Sequence, residues 1–167
     1  MPTEPEPIVI ITTGGTIDKA YFDALSSYQV GETVAARLLS IAHVTHPYRI
    51  IELLRKDSLE LTDGDRATLR ETIRSAASQR IIVTHGTDTM TDTAKALAMI
   101  SDKTIVLTGA LAPARFSESD ATFNLGMAFA AVQTLPAGVY ITMNGRVFRG
   151  DEVRKDRTQS RFVANSE

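Results

Sequence analysis

Short apolar segments alternate along the chain with segments of helical spacing. A short apolar run bounded by glycine or polar residues is typical of a strand that is buried on both faces. Five such runs predict strands at residues 8–11, 49–54, 80–84, 104–108 and 138–143. After the last run, Asn144-Gly145 predicts a tight hairpin into a further short strand at 146–148.

The segments between these runs predict helices. Apolar residues recur at helical spacing in residues 30–40, and further helices are predicted from 62 onwards, from 89 to about 100, and from about 120 to 134. Thr62 is followed three residues later by Asp65, and Thr89 by Asp92. This is the spacing of a capping box, so both threonines are expected to begin helices.

Strands and helices alternate, and the strands are apolar throughout. This pattern predicts an α/β fold with a doubly wound, mainly parallel sheet, Rossmann-like or flavodoxin-like, and helices on both faces. The length suits a single domain over residues 1–167. Residues 14–29 show no clean period and predict a long loop, and the acidic, proline-rich residues 1–7 predict a flexible lead-in.

Composition narrows the possible functions. Cysteine is absent, which excludes disulfides, thiolate metal sites and thiol nucleophiles. Eighteen basic and twenty acidic residues give a formal charge of −2, so neither nucleic acid nor a membrane surface is an expected partner. No apolar run approaches the ~20 residues that span a bilayer. The N-terminus lacks the features of a secretory signal, so a cytoplasmic location is expected.

Glycines and small polar residues follow several of the predicted strands. The carboxyl ends of parallel strands meet at one edge of a sheet, so these segments are expected to line one crevice. Gly15 and Gly86 would let backbone N–H groups approach a ligand there. Thr16, Thr87 and Asp88 would supply two hydroxyls and a carboxylate.

Each segment alone also has an ordinary structural interpretation. Thr-Gly-Gly-Thr at 13–16 fits a simple strand-to-loop turn, and it matches neither a dinucleotide fingerprint nor a Walker loop. Thr87 and Thr89 would also serve as helix caps, and Asp88 as a first-turn acid. His85 is more typical of a packed strand end than of a catalytic base.

Taken together, the segments resemble the bacterial L-asparaginase family. Two signatures carry most of the resemblance: Thr-Gly-Gly-Thr-Ile at 13–17 and His-Gly-Thr-Asp-Thr-Met at 85–90. Further similar segments follow in order at 57–63, 108–110, 123–125, 143–144 and 152–155. The resemblance covers nearly the whole chain and implies the N-terminal-domain type of asparaginase fold.

The resemblance implies an amidohydrolase that converts L-asparagine to L-aspartate and ammonia through a threonine acyl-enzyme, without metal or cofactor. Thr16 matches the family's nucleophile. Thr87, Asp88 and Lys155 match its second catalytic group. Without the resemblance, a lysine in the charged stretch 146–161 would be interpreted as solvated.

Two tyrosines are candidates for activating Thr16, since a threonine hydroxyl is a poor nucleophile without a base. Tyr28, in Ser-Tyr-Gln-Val-Gly, matches the family's loop tyrosine best. Tyr21 lies closer to Thr16 in the sequence. The tyrosine that does not activate Thr16 would be a packing residue of the loop.

The resemblance also implies a set of substrate-binding residues: Gly15, Asp57, Ser58, Gly86, Asp88 and Ala110. Asp88 would bind the α-ammonium of free asparagine, and Ser58 its α-carboxylate. The carbonyl of Ala110 would lie near the leaving amide. The loop at 17–29 would close over the substrate.

Two features depart from the family pattern. Members usually have a smaller C-terminal domain that contributes groups to a neighbouring subunit's active site, whereas this chain ends soon after Lys155. It therefore resembles the short, single-domain form, for which a more open site is expected. Leu59 stands where many members carry a polar residue, which leaves glutamine or another small amide as alternative substrates. A homo-oligomer, dimer or tetramer, is expected, and a non-catalytic amino-acid-binding module is the rival function.

Overall fold

The computed structural model of the protein describes residues 4–22 and 27–167, which form ten strands and four helices. The strands are β1 (Ile8–Gly14), β2 (Lys19–Phe22), β3 (Ser27–Val30), β4 (Tyr48–Lys56), β5 (Arg80–Thr84), β6 (Thr104–Thr108), β7 (Gly138–Met143), β8 (Arg146–Arg149), β9 (Val153–Asp156) and β10 (Arg161–Ala164). The helices are α1 (Ala35–Ile41), α2 (Asp63–Ser75), α3 (Met90–Leu97) and α4 (Ala121–Thr134).

A six-stranded sheet with the order β4-β1-β5-β6-β7-β8 forms the centre of the fold. All neighbouring strands are parallel except β8, which runs antiparallel to β7. Helices α2 and α3 pack on one face, and α1 and α4 pack on the other. The predicted doubly wound α/β class is confirmed.

The strand order determines where a ligand site is expected. Numbered along the chain, the parallel strands follow the order 2-1-3-4-5, the flavodoxin-like alternative of the two predicted. In this order the winding direction reverses between β1 and β5. Ligands of such folds bind in the crevice at the carboxyl ends of those two strands.

The segment predicted as a long loop at 14–29 contains regular structure. A 3-10 turn at Thr16–Asp18 leads into β2, which pairs antiparallel with β3 in a separate two-stranded ribbon. Each strand has only four residues, too few for a period to be recognised. Residues 23–26 of the predicted loop lie outside the described part of the chain.

Two predicted boundaries near the N-terminus also differ. The helix predicted at 30–40 begins at Ala35, because Val30 still belongs to β3. Residues 1–3 of the predicted lead-in lie outside the described residues, whereas the carbonyl of Pro7 accepts a hydrogen bond from Ser78 Oγ at 2.7 Å.

One of the two predicted capping boxes is present. Thr62 Oγ1 accepts the N–H of Asp65 at 3.1 Å, and Asp65 Oδ2 accepts the N–H of Thr62 at 2.8 Å, which starts α2. The capping box predicted at Thr89 and Asp92 is wrong. Thr89 Oγ1 accepts no N–H from the first turn of α3 and instead donates to the carbonyl of Ser58 at 2.8 Å, which is a tertiary contact.

A row of four buried threonines crosses the sheet near the carboxyl ends of its strands. Thr12, Thr84, Thr108 and Thr142 are neighbours in register on β1, β5, β6 and β7. Thr108 Oγ1 donates to the carbonyl of Thr142 at 2.9 Å. The hydroxyls of Thr12 and Thr84 find no partner among the described residues.

Thr12→Val is therefore expected to raise the free energy of unfolding by about 1 kcal/mol, because it removes a buried hydroxyl that has no partner. Thr108→Val is the matched control and should lower the same free energy by about 1 kcal/mol, since it removes a buried hydrogen bond. Urea unfolding of both variants measures the difference. Equal destabilisation by the two would show that the Thr12 hydroxyl has a partner in solution.

Candidate active site

Glycines bring the ends of β1 and β5 into contact. Gly15 has a φ of +87°, and a Cβ at this position would collide with the backbone of Gly86. A Cβ at Gly86 would in turn lie 2.6 Å from Ser58 Cβ. Only glycine allows such close approach, so the segments beginning with Thr16 and Thr87 are held side by side.

Lys155 connects a hydroxyl and a carboxylate at this edge of the sheet. Its Nζ donates to Thr87 Oγ1 and to Asp88 Oδ1, both at 2.8 Å. The side chain of Lys155 is 14% exposed and that of Asp88 36%, so the group is shielded on one side and open to the crevice on the other. Lys155 lies on β9, which pairs with β10 outside the six-stranded sheet. The structure thus brings these three predicted residues together.

The turn after β4 contributes two further predicted residues. Ser58 is buried against Gly86. Asp57 accepts the N–H of Leu59 at 3.1 Å, and its other oxygen lies 3.1 Å from Lys19 Nζ. Burial alone would raise the pKa of Asp57, but the Leu59 hydrogen bond and the Lys19 ammonium outweigh burial and lower this pKa. Asp57 therefore stays ionised beside the crevice.

The loop after β6 places Ala110 next to β5. A Cβ on Gly109 would collide with the carbonyl oxygen of His85, so this loop lies directly on the end of β5. Asn124, on α4, fixes the loop: its Nδ2 donates to the carbonyl of Gly109 at 2.9 Å and to Asp120 at 2.8 Å. Ala110 itself is buried.

Both candidate tyrosines lie on the β2–β3 ribbon. Tyr21 and Tyr28 are directly opposite each other, with ring centroids 5.4 Å apart, and each is 51% exposed. Neither belongs to the hydrogen-bonded group around Lys155. Tyr28, however, lines a polar cavity of about 360 Å³ together with Lys19 and Asp57. That cavity connects Tyr28 with the turn after β4.

His85 is a packed strand-end residue, as the sequence favoured. It is fully buried, with Nδ1 2.7 Å from the carbonyl of Gly86 and Nε2 2.7 Å from Thr93 Oγ1. A carbonyl only accepts, so Nδ1 carries the proton and Nε2 accepts from Thr93. Burial lowers the pKa of His85 to about 4, and the imidazole is neutral at pH 7.

A buried carboxylate lies two residues beyond Thr16. Asp18 accepts the N–H of Val34 at 2.9 Å, which anchors the start of α1 to the 3-10 turn. Burial raises the pKa of Asp18 to about 6, despite the hydrogen bonds from Val34 and Thr33. Between pH 3.8 and about 6, the Asp18 carboxyl is therefore mostly protonated in the folded protein and mostly ionised in the unfolded chain.

Asp18→Asn should gain stability relative to the wild type as the pH rises through this window. The pKa of Asp18 is higher in the folded protein than in the unfolded chain. The protonated carboxyl therefore contributes stability that is fully present below pH 3.8 and is lost as the pH rises through about 6. Asparagine has no such proton to lose, so the difference in unfolding free energy should grow by on the order of 3 kcal/mol. Urea unfolding from pH 4 to 7.5 tests this.

The exposed Asp102 provides the control for this series. Over the same pH range, the difference in unfolding free energy from the wild type should grow more for Asp18→Asn than for Asp102→Asn. His85 titrates with the opposite sign, but it is present in every variant and cancels in the differences. An equal change in the two variants would contradict the raised pKa of Asp18.

Three contacts at the site could not be predicted from the sequence. Lys19 reaches Asp57, Thr89 reaches Ser58, and Asn124 reaches Gly109 across separations that no local pattern encodes. For Asn124 there was one signal, its place in the segment 123–125 that resembles the asparaginase family.

The site therefore combines a flavodoxin-like sheet with hydroxyl, carboxylate and amine groups at its switch point. Residues 7–166 match the family described as Asparaginase, N-terminal. The chain belongs to this family.

Similar proteins agree with that membership. The chain is 31% identical over 162 residues to the glutaminase-asparaginase of Acinetobacter glutaminasificans, covering 89% of this chain and 49% of the relative. It is 31% identical over 166 residues to L-asparaginase 2 of Escherichia coli K12, covering 90% and 47%. L-asparaginase I of Vibrio cholerae superposes with a TM-score of 0.83 at 28% identity, covering 95% and 51%. The chain thus spans about half the length of these relatives.

No helix in the described part of the chain is both long and apolar enough to cross a bilayer. No cluster of three or more histidine, aspartate or glutamate side chains in residues 4–22 and 27–167 is arranged to hold a metal ion.

Proposed function

We propose that the protein hydrolyses the side-chain amide of L-asparagine to L-aspartate and ammonia, with Thr16 as the nucleophile. The observation that carries the proposal is the contact of Lys155 Nζ with both Thr87 Oγ1 and Asp88 Oδ1. A hydroxyl that accepts a hydrogen bond from a part-buried lysine beside a carboxylate suits proton transfer during acyl transfer.

In the first step, Thr16 Oγ attacks the side-chain amide carbon. Its proton passes through Tyr28 to the amide nitrogen, the C–N bond breaks, and ammonia leaves an aspartyl ester on Thr16. Tyr28 is favoured over Tyr21 because it shares a cavity with Asp57 and Lys19. Tyr21 remains the alternative base.

In the second step, water attacks the ester and Thr16 Oγ departs with a proton. Thr87 would orient this water while Lys155 exchanges protons with the Thr87 hydroxyl. In the structure Thr87 Oγ1 accepts an N–H of Lys155. With Lys155 in its neutral form, Nζ would accept the Thr87 hydroxyl proton as Thr87 takes one from the attacking water, and that proton would then be returned to the departing Thr16 oxygen.

Backbone N–H groups are available for the oxyanion that forms in both steps. Within the described residues, the N–H groups of Thr16 and Thr87 donate to no backbone carbonyl outside their own elements. Their segments are adjacent because Gly15 packs on Gly86. One such donor is typically worth ~2.7–4 kcal/mol of the activation free energy.

The α-ammonium and the α-carboxylate of the substrate would each be recognised through its charge. Asp88 lies at the open side of the site and would bind the α-ammonium, with the ionised Asp57 nearby. The turn around Ser58 would bind the α-carboxylate. No cofactor is required by this chemistry.

Glutamine is the alternative substrate, because relatives include glutaminase-asparaginases and one methylene is discriminated by only ~1–3 kcal/mol in a hydrophobic pocket. Ammonia release from L-asparagine and L-glutamine should be compared at equal enzyme concentration. Faster release from asparagine supports the proposal. Faster release from glutamine would move the assignment to glutaminase. Thermal stabilisation by asparagine without ammonia from either substrate would favour an amino-acid-binding module.

A further inference from the structure

The β2–β3 ribbon that carries Tyr28 stands apart from the main sheet. Among the residues that the structure describes, its two strands pair only with each other, and neither joins the six-stranded sheet. A two-stranded ribbon is marginally stable in water unless it packs on something else. Accurate placement of the Tyr28 hydroxyl therefore depends on contacts made outside the ribbon.

Phe116 makes such a contact. Its ring meets the ring of Tyr28 edge-to-face, with centroids 5.6 Å apart and an interplanar angle of 81°. This is the arrangement that the charge distribution of two aromatic rings favours. Within residues 4–22 and 27–167, the other ring stacked on Tyr28 is Tyr21, which moves with the same ribbon.

The loop that carries Phe116 is itself firmly anchored. The N–H of Ala114 donates to the carbonyl of Ile17 at 3.1 Å, one residue beyond Thr16. At the other end of the loop, the Asp120 carboxylate accepts the N–H of Leu111 at 3.0 Å. Phe116 is thus held relative to the Thr16 segment, although its ring is 44% exposed and not part of the core.

We propose that Phe116 is a positioning residue that fixes the Tyr28 ring relative to Thr16. The inference rests on the proposed function, in which the Tyr28 hydroxyl relays the proton of Thr16. Phe116 itself touches no reacting atom. Its ring packs against the Tyr28 ring and so limits the positions that the β2–β3 ribbon can give to the tyrosine.

Kinetics of Phe116→Ala test this directly. The kcat for ammonia release from L-asparagine should fall about tenfold, with KM within about twofold, because the proton relay is misplaced while the substrate contacts stay. The melting temperature should stay close to wild type, since an exposed ring is removed. Phe116→Tyr keeps an aromatic edge and should restore most of kcat. Phe123→Ala removes an exposed ring on α4, 62% exposed, and should leave kcat unchanged.

A double-mutant cycle separates positioning from any independent role of Phe116. Once the Tyr28 hydroxyl is absent, its placement no longer matters, so Phe116→Ala should not slow Tyr28→Phe any further. An equal further loss of rate in the Tyr28→Phe background would overturn the proposal. Wild-type kcat in Phe116→Ala would overturn it as well.

A spectroscopic readout does not depend on turnover. The chain has no tryptophan, so Phe116→Trp introduces a single indole at the contact. Adding Tyr28→Ala should shift its emission to longer wavelength as the indole becomes more exposed. An unchanged spectrum would show that the two rings are not in contact in solution. If the wild type released no ammonia, the proposed function would fail, yet this measurement would still report on the contact.

Discussion

Thr16→Ala is expected to release ammonia from L-asparagine at less than about a thousandth of the wild-type rate. The ester forms on this hydroxyl, and no cysteine is present to replace it, while His85 is buried with both ring nitrogens bonded. Thr16→Ser retains a primary hydroxyl at the same place and should keep a measurable part of the rate. A coupled ammonia assay follows all three proteins.

Thr72→Ala is the control for this experiment. Thr72 is a half-buried residue of α2 whose hydroxyl donates to the carbonyl of Thr68 at 2.9 Å. Its removal should leave the rate unchanged. Product aspartate should still raise the melting temperature of Thr16→Ala, which would show that the site is intact. A Thr16→Ala protein with the wild-type rate would disprove the assignment of the nucleophile.

Lys155→Met is expected to lower kcat by about a hundredfold or more, the usual scale for loss of a proton-transfer group. The substitution removes the partner of both Thr87 and Asp88 while keeping most of the side-chain volume. The fold should persist, because Asp88 is open enough to water to be hydrated when unpaired. Steady-state kinetics with urea unfolding alongside measures both effects.

Arg154→Met provides a matched control on the same strand. Successive residues of a strand point to opposite sides, and the Arg154 guanidinium donates to the carbonyl of Ala164, away from the site. Its loss should change kcat less than twofold, within the ordinary range for a surface position. Equal losses of kcat in the two variants would mean that the positive charge of β9 as a whole matters for the reaction, and not the Lys155 amine in particular.

The central sheet could be predicted because its strands are buried on both faces. In β1 and β6 every residue is buried, and the sequence shows an apolar run at 8–11 in the first and at 105–107 in the second. The β2–β3 ribbon left no such trace, because its eight residues are half-exposed or exposed. Thr89 shows a different limit of prediction from sequence. Its spacing from Asp92 fits a local helix cap, but its hydroxyl donates to the carbonyl of Ser58, which is distant in the sequence.

The site was predictable only to a point. Parallel topology places the ends of β1 and β5 together, which explains why the segments of Thr16 and Thr87 meet. No spacing rule connects Lys155 with residues 67 and 68 positions earlier. That connection came from the resemblance to the asparaginase family. The Phe116–Tyr28 contact matches no local pattern either, because both partners sit in irregular or short elements.

The most direct test is to trap the covalent intermediate. Thr87→Val should slow hydrolysis of the ester more than its formation, so an aspartyl group should accumulate when this variant is mixed with L-asparagine and quenched in acid. Mass spectrometry of the digested protein should find the added mass on the peptide containing Thr16. The same added mass on a peptide without Thr16, or turnover with no adduct even in the millisecond range, would contradict the threonine-ester mechanism.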